Sequence, residues 1–252
     1  MALLFAAGYT PAEAQRLYMY HCPKIFTTSP ARRYSPFVAR YQNTHLLSMM
    51  QAYFGDLKIN ELPKSVMVTS FKIRSDPNSQ EKTFYKQSGK GWRPALFSNV
   101  PRLSGQVNPD DTLCSDVACR TSAAPTFFPT YQNYVDGAIF ANNPALSAIA
   151  KVRWTKKKNK QKTRNKNPSL TKLLLAQASS HYKHVHASRN RIALLSLGAG
   201  DYDYFIPESE SSMDWGLRQW APYLRSILLD SNAISIETNL TLVSTKEKVF
   251  FF

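Results

Sequence analysis

The stretch from Tyr134 to Ala150, YVDGAIFANNPALSAIA, decides how the chain is read. It opens as a short apolar strand that breaks at Asp136 and Gly137. Asn143 then stands as a helix N-cap with Pro144 at the first helical position. The apolar residues after Pro144 continue at helical spacing. A strand handing over to a helix through Asp-Gly is one unit of an alternating α/β chain. Gly137 lets the chain turn without a Cβ clash. The strand should deliver the Asp136 carboxylate to its end, where partial burial raises the pKa toward that of a base. The free N–H groups of the helix from Pro144 oppose that effect, so no value is expected.

Upstream, DDTLCSDVACRTSAAPTFF reads as a helix capped by Asp111 and ended by Pro125. Ser122 lies in it and is read mainly as a packing residue. SVMVTSFKI, from Ser65 to Ile73, is a β-branched run expected as a buried strand. SDPNSQEK reads as a turn and TFYKQ as a second strand. GKGWR, from Gly89 to Arg93, reads as a loop. At the start, residues 2–7 look like a helix closed by Gly8. Thr10, Pro11 and Glu13 give the next helix an N-cap, a first-turn proline and a capping box. Residues 27–43 read as a loop, and THLLSMMQAYFG as a helix ending at Gly55.

Downstream, residues 151–172 hold ten Lys or Arg and no acid. The most basic part, 156–168, reads as a solvated, disordered insertion. HYKHVH, with His181, His184 and His186, reads as a solvated loop rather than a metal site. RIALLSLGAGD reads as a parallel strand with a glycine turn, which buries Ser196 and makes it a poor nucleophile. A helical pattern interrupted at Pro222 follows, and KVFFF closes as a short strand. The expected fold is therefore an α/β three-layer sandwich with a mostly parallel central sheet.

Composition sets the limits. The chain has 252 residues, 43% of them hydrophobic, enough for a substantial core. No apolar run is long enough to span a bilayer as a helix. Three cysteines without a C-x-x-C pair argue against a disulfide framework and for a reducing compartment. The net charge of +15 favours anionic surfaces. The lysine run has no interleaved aromatic platform, so specific nucleic-acid recognition is not expected. Peripheral contact with an anionic membrane is.

Three segments in order resemble patatin-like lipid acyl hydrolases: ACRTSAAPTFFPTY, YVDGAIFANNPALSAIA and LLSLGAGD. The opening AAGYTPAEAQRLY and the tail helix WGLRQWAPYLRSILLDSNA resemble the family too. The resemblance extends over nearly the whole chain apart from the basic run. It implies a Ser–Asp dyad, with the serine on a G-x-S-x-G elbow and Asp136 as the proton acceptor of a DGA motif (Asp136, Gly137, Ala138). It implies a lipid or phospholipid ester substrate, cleaved through an acyl-serine, with no metal and no cofactor.

The sequence contains no G-x-S-x-G. The resemblance therefore implies that the chain is a C-terminal portion, truncated at its N-terminus, which begins inside the nucleophile helix. Residues 1–252 are then one partial domain, inactive alone, and the serine comes from elsewhere. The alternative is a non-catalytic module for lipid surfaces or protein partners. A cytoplasmic or peripheral-membrane location is expected.

Overall fold

The computed structural model describes residues 1–73, 92–100, 111–151, 173–178, 181–187, 192–197, 216–243 and 249–251. The expected strand TFYKQ, the basic run and the turn after Leu197 lie outside these residues.

Four helices open the chain: α1 (Ala2–Ala7), α2 (Pro11–Ile25), α3 (Pro30–Arg33) and α4 (Thr44–Phe54). Gly8 ends α1 at φ 106, and its N–H donates to the Leu4 and Phe5 carbonyls. That left-handed geometry favours glycine and satisfies carbonyls a helix end leaves open. The capping box of α2 forms as expected: the Glu13 N–H donates to Thr10 Oγ1 at 3.3 Å, and the Thr10 N–H donates to Glu13 Oε2 at 2.7 Å. Gly55 follows α4 at φ 50.

β1 (Ser65–Lys72) pairs with three other strands, and Val66 through Ser70 are all buried. Alternation sends Val66 and Val68 to one face, where they pack with Leu3, Leu4, Ile59, Val117 and Tyr134. β2 (Arg93–Ser98), which sequence reasoning passed over, pairs antiparallel with β1. α5 (Cys114–Thr121) starts later than expected, after Leu113. Asp111 does not cap it and instead pairs with Lys58 at 2.9 Å.

β3 (Tyr134–Asp136) returns antiparallel to β1, followed by α6 (Ala138–Ala141) and by α7, helical over residues 145–151. β4 (Leu173–Ala178), β5 (His181–Ala187) and β6 (Ile192–Leu197) come next. The long α8 (Leu217–Val243) runs through Pro222 without a break, and β7 (Val249–Phe251) is the last strand in sequence.

The strand order is β2-β1-β4-β5-β6-β7, with β3 also on β1. The sheet is open and mainly antiparallel: among the described strands, only β1–β4 and β6–β7 are parallel pairs. This corrects the expected mostly parallel sheet. The reason lies in the HYKHVH segment. Its polar residues suggested a loop, but it forms β5, paired antiparallel to both neighbours. Residues 179–180 and 188–191 are all that separate these strands, and connections so short can join only antiparallel neighbours.

Candidate functional site

Two ladders meet on one edge of β1. β4 pairs with β1 as far as Val68↔Gln177, and β3 pairs from Ser70↔Asp136 onward. The C-terminal ends of β3 and β4 therefore face each other across the level of Thr69. Asp136 is the last residue of β3 and is 4% exposed.

The junction is built from buried polar groups. Thr69 and Ser70 are fully buried in the middle of an apolar strand. Buried polar groups at such a place need partners, and they have them. Thr121 Oγ1 donates to the Thr69 carbonyl at 2.7 Å. Ser70 Oγ donates to the Val135 carbonyl at 2.8 Å. The Asp136 N–H donates to the Ala123 carbonyl at 3.0 Å. The end of α5 is thus tied to both β1 and β3.

Gly137 completes the junction. Its φ of -66 is ordinary, so the turn itself does not demand glycine. The demand comes from packing: a Cβ at this position would stand 2.2 Å from the Thr69 carbonyl oxygen. Ala138 is buried beside it, and its N–H donates to Asp136 Oδ1 at 2.8 Å. This bond fixes the orientation of the carboxylate. An amide of α6 therefore reaches Asp136. The helix after Pro144 is capped by Asn143, whose Oδ1 accepts the Ala145 N–H at 3.1 Å. Asn143 Nδ2 also donates to Glu237 Oε1 of α8 at 2.9 Å, so the tail helix is fastened directly to the segment behind Asp136.

Arg120 flanks the strand. Its guanidinium lies over the Tyr134 ring at 4.6 Å and donates from Nε to Gln132 Oε1 at 2.9 Å. Tyr131 donates to Asp116 Oδ1 at 2.8 Å, and burial, with that bond second, pushes its hydroxyl up to about 12. Cys114 and Cys119 are buried free thiols, each pushed up to about 12 mainly by burial. Such thiols are poor nucleophiles.

Of the other sequence candidates, Ser122 is the C-cap of α5 and accepts the Ala124 N–H on its carbonyl at 2.9 Å. Ser196 lies in β6, and His181, His184 and His186 lie in β5. Sequence reasoning missed Thr69, Ser70 and Thr121. For Thr69 and Ser70 the signal was available as two adjacent hydroxyl residues inside the apolar run VMVTSF; nothing in the sequence around Thr121 marked it.

A family model described as patatin-like phospholipase matches residues 1–149. Patatin-like protein 2 of Arabidopsis thaliana is 28% identical over 173 residues, covering 59% of this chain and 36% of that protein. Patatin-like protein 2 of Oryza sativa subsp. indica is 29% identical over 171 residues, covering 59% and 36%. Patatin-03 of Solanum tuberosum is 26% identical over 175 residues, covering 59% and 39%. The chain spans well under half the length of each of these relatives. The model match lies in the N-terminal part of the chain and contains Asp136, Gly137, Ala138 and the Asn-Asn-Pro that follows. LLSLGAGD and the tail helix fall outside it. This overturns the expectation of a C-terminal portion truncated at its N-terminus, with resemblance over nearly the whole chain.

Proposed function

The chain belongs to the patatin-like phospholipase family, and on that footing we propose that it serves a lipid acyl hydrolase in which Asp136 accepts the proton of a serine hydroxyl. The serine oxygen attacks the ester carbonyl, and Asp136 holds the proton and passes it to the departing alcohol. Water then cleaves the acyl-serine with Asp136 again as base. The observation that carries this reading is the carboxylate itself: buried at a strand end, with Oδ1 held by the Ala138 N–H at 2.8 Å. A base oriented in this way spends no reorganisation at the moment of transfer.

No G-x-S-x-G occurs within residues 1–252, so the nucleophile of this reading is supplied by polypeptide outside them. The same fact supports a second reading, a non-catalytic module that keeps the fold for lipid surfaces or protein partners. The substrate class is a lipid or phospholipid ester. The basic run at 156–168 remains a proposed contact with anionic headgroups, and a cytoplasmic or peripheral-membrane location remains part of the proposal.

The test uses protein purified from its native locus, beside residues 1–252 alone. The native protein should hydrolyse a short-chain ester and be labelled by a fluorophosphonate. Asp136→Asn should cost about a thousandfold in kcat, and residues 1–252 alone should stay at background. Native activity unchanged by Asp136→Asn would sink the dyad. Native protein with neither hydrolysis nor labelling would sink the hydrolase reading.

A further inference from the structure

The segment from Phe26 to Tyr41 projects a set of apolar side chains that no described part of the fold covers. Phe37 is 92% exposed and Tyr34 81%, with Val38 nearly half exposed beside them. Single exposed apolar residues are ordinary, but aromatics grouped at one loop tip are not.

The loop is held rigidly at its base. Thr28 Oγ1 donates to the Arg40 carbonyl at 2.6 Å, and Arg32 Nη1 donates to the Ala39 carbonyl at 3.0 Å. The Arg40 and Tyr41 N–H groups donate to the Thr126 and Phe127 carbonyls at 3.0 and 2.8 Å. Phe26 and Tyr41 meet edge to face at 5.2 Å, and Tyr41 packs on Phe128 at 5.5 Å. Thr126 holds φ 71, a conformation that costs a β-branched residue energy and persists only where the surroundings impose it. The exposed tip therefore stands on a fixed base and needs little ordering on binding.

Charge gives the direction. From residue 14 to residue 55 there is no Asp or Glu, while Arg16, Lys24, Arg32, Arg33 and Arg40 are present. Arg40 lies over the Phe127 ring at 5.7 Å, and Arg225 of α8 lies over the same ring at 4.9 Å. A cation from a distant part of the chain thus joins those at the base of the loop. Two copies of this face would meet as cation against cation. An apolar tip above a cationic base fits a surface with anionic headgroups outside and hydrocarbon beneath.

We propose that the Phe26–Tyr41 loop docks on an anionic phospholipid bilayer, with Tyr34, Phe37 and Val38 entering the interface and Arg33, Arg40 and Arg225 meeting lipid phosphates. This goes beyond the hydrolase reading and does not need it, since docking requires no catalysis.

The test uses the full 252-residue chain and co-sedimentation with vesicles of phosphatidylcholine, with and without phosphatidylserine. Phosphatidylserine should tighten binding by about tenfold or more. Tyr34→Ser with Phe37→Ser should weaken it about tenfold with the basic run intact. Arg33→Gln should weaken it about fivefold. Both serines replace exposed side chains, so the fold should survive, as circular dichroism will check. Phe37→Trp supplies an independent readout: its difference emission against wild type should shift to the blue on phosphatidylserine vesicles alone. Wild-type affinity in the double serine variant, or no emission shift in the Phe37→Trp variant, would overturn the proposal. So would loop variants that alter only self-association or only DNA affinity.

Discussion

Gly137 sits against Thr69 so closely that a Cβ on the glycine would stand 2.2 Å from the threonine carbonyl oxygen and 2.4 Å from its Oγ1. The first of those atoms is backbone in the buried middle of β1, so a side chain cannot be accommodated by a rotamer change. Gly137→Ala should force β3 and β1 apart and cost about 3 kcal/mol, at the upper end for overpacking. Urea unfolding measures it. A loss below about 0.5 kcal/mol, the scale of an ordinary surface change, would show that the junction relaxes freely.

Asn143 is fully buried and serves two elements at once, capping α7 through Oδ1 and binding Glu237 of α8 through Nδ2. Asn143→Ala removes a cap and breaks a partly buried bond to a carboxylate. The expected loss is about 2–3 kcal/mol. A double-mutant cycle with Glu237→Gln should show coupling of about 1 kcal/mol. Strict additivity would mean that α8 is held by its other contacts alone.

The local grammar of this fold was plain in the residues. Gly8, Thr10, Pro11, Glu13, Gly55 and Asn143 each mark a helix end where the structure has one. Caps are legible because a few neighbouring residues satisfy a few known backbone groups. The direction of the sheet was not legible, since it turned on whether residues 181–187 paired. A strand with polar residues at His181, Lys183, His184 and His186 lacks the apolar pattern that identifies a strand in sequence. Asp136 stood out through its Asp-Gly and the helix start behind it. Its surroundings did not, because Thr69, Ser70 and Thr121 come from segments more than 50 residues apart and only tertiary contact joins them. The exposed Phe37 was likewise hidden inside what read as an ordinary loop.

Asp136 has a structural bond as well as a proposed chemical one, and two substitutions separate them. Asparagine keeps an Oδ1 that can accept the Ala138 N–H, whereas alanine leaves that buried amide unpaired. Asp136→Asn should therefore stay within about 1 kcal/mol of wild type, and Asp136→Ala should lose about 1–2 kcal/mol. Ester hydrolysis by the native protein should vanish equally in both. Activity that follows stability, retained in asparagine and lost in alanine, would reduce Asp136 to a turn residue.

Alkaline pH should weaken the fold by a route that can be traced to named groups. Burial pushes the Cys114 and Cys119 thiols from near 9 up to about 12, and the Tyr131 hydroxyl from near 10 up to about 12. Between those limits the unfolded chain has already released protons that the folded chain still holds. Stability therefore falls as pH rises, beginning near pH 9 for the thiols and near pH 10 for the tyrosine. Below pH 9 both states are protonated at these groups, and they contribute no slope. Unfolding free energy followed from pH 7 to 11 should show a decline that is shallower in Cys114→Ala with Cys119→Ala, and shallower again above pH 10 in Tyr131→Phe. Thiol labelling gives an independent check, because half-buried Cys22 should react in the folded protein well before the other two. An alkaline slope untouched by these substitutions would mean that the buried thiols and Tyr131 do not govern it.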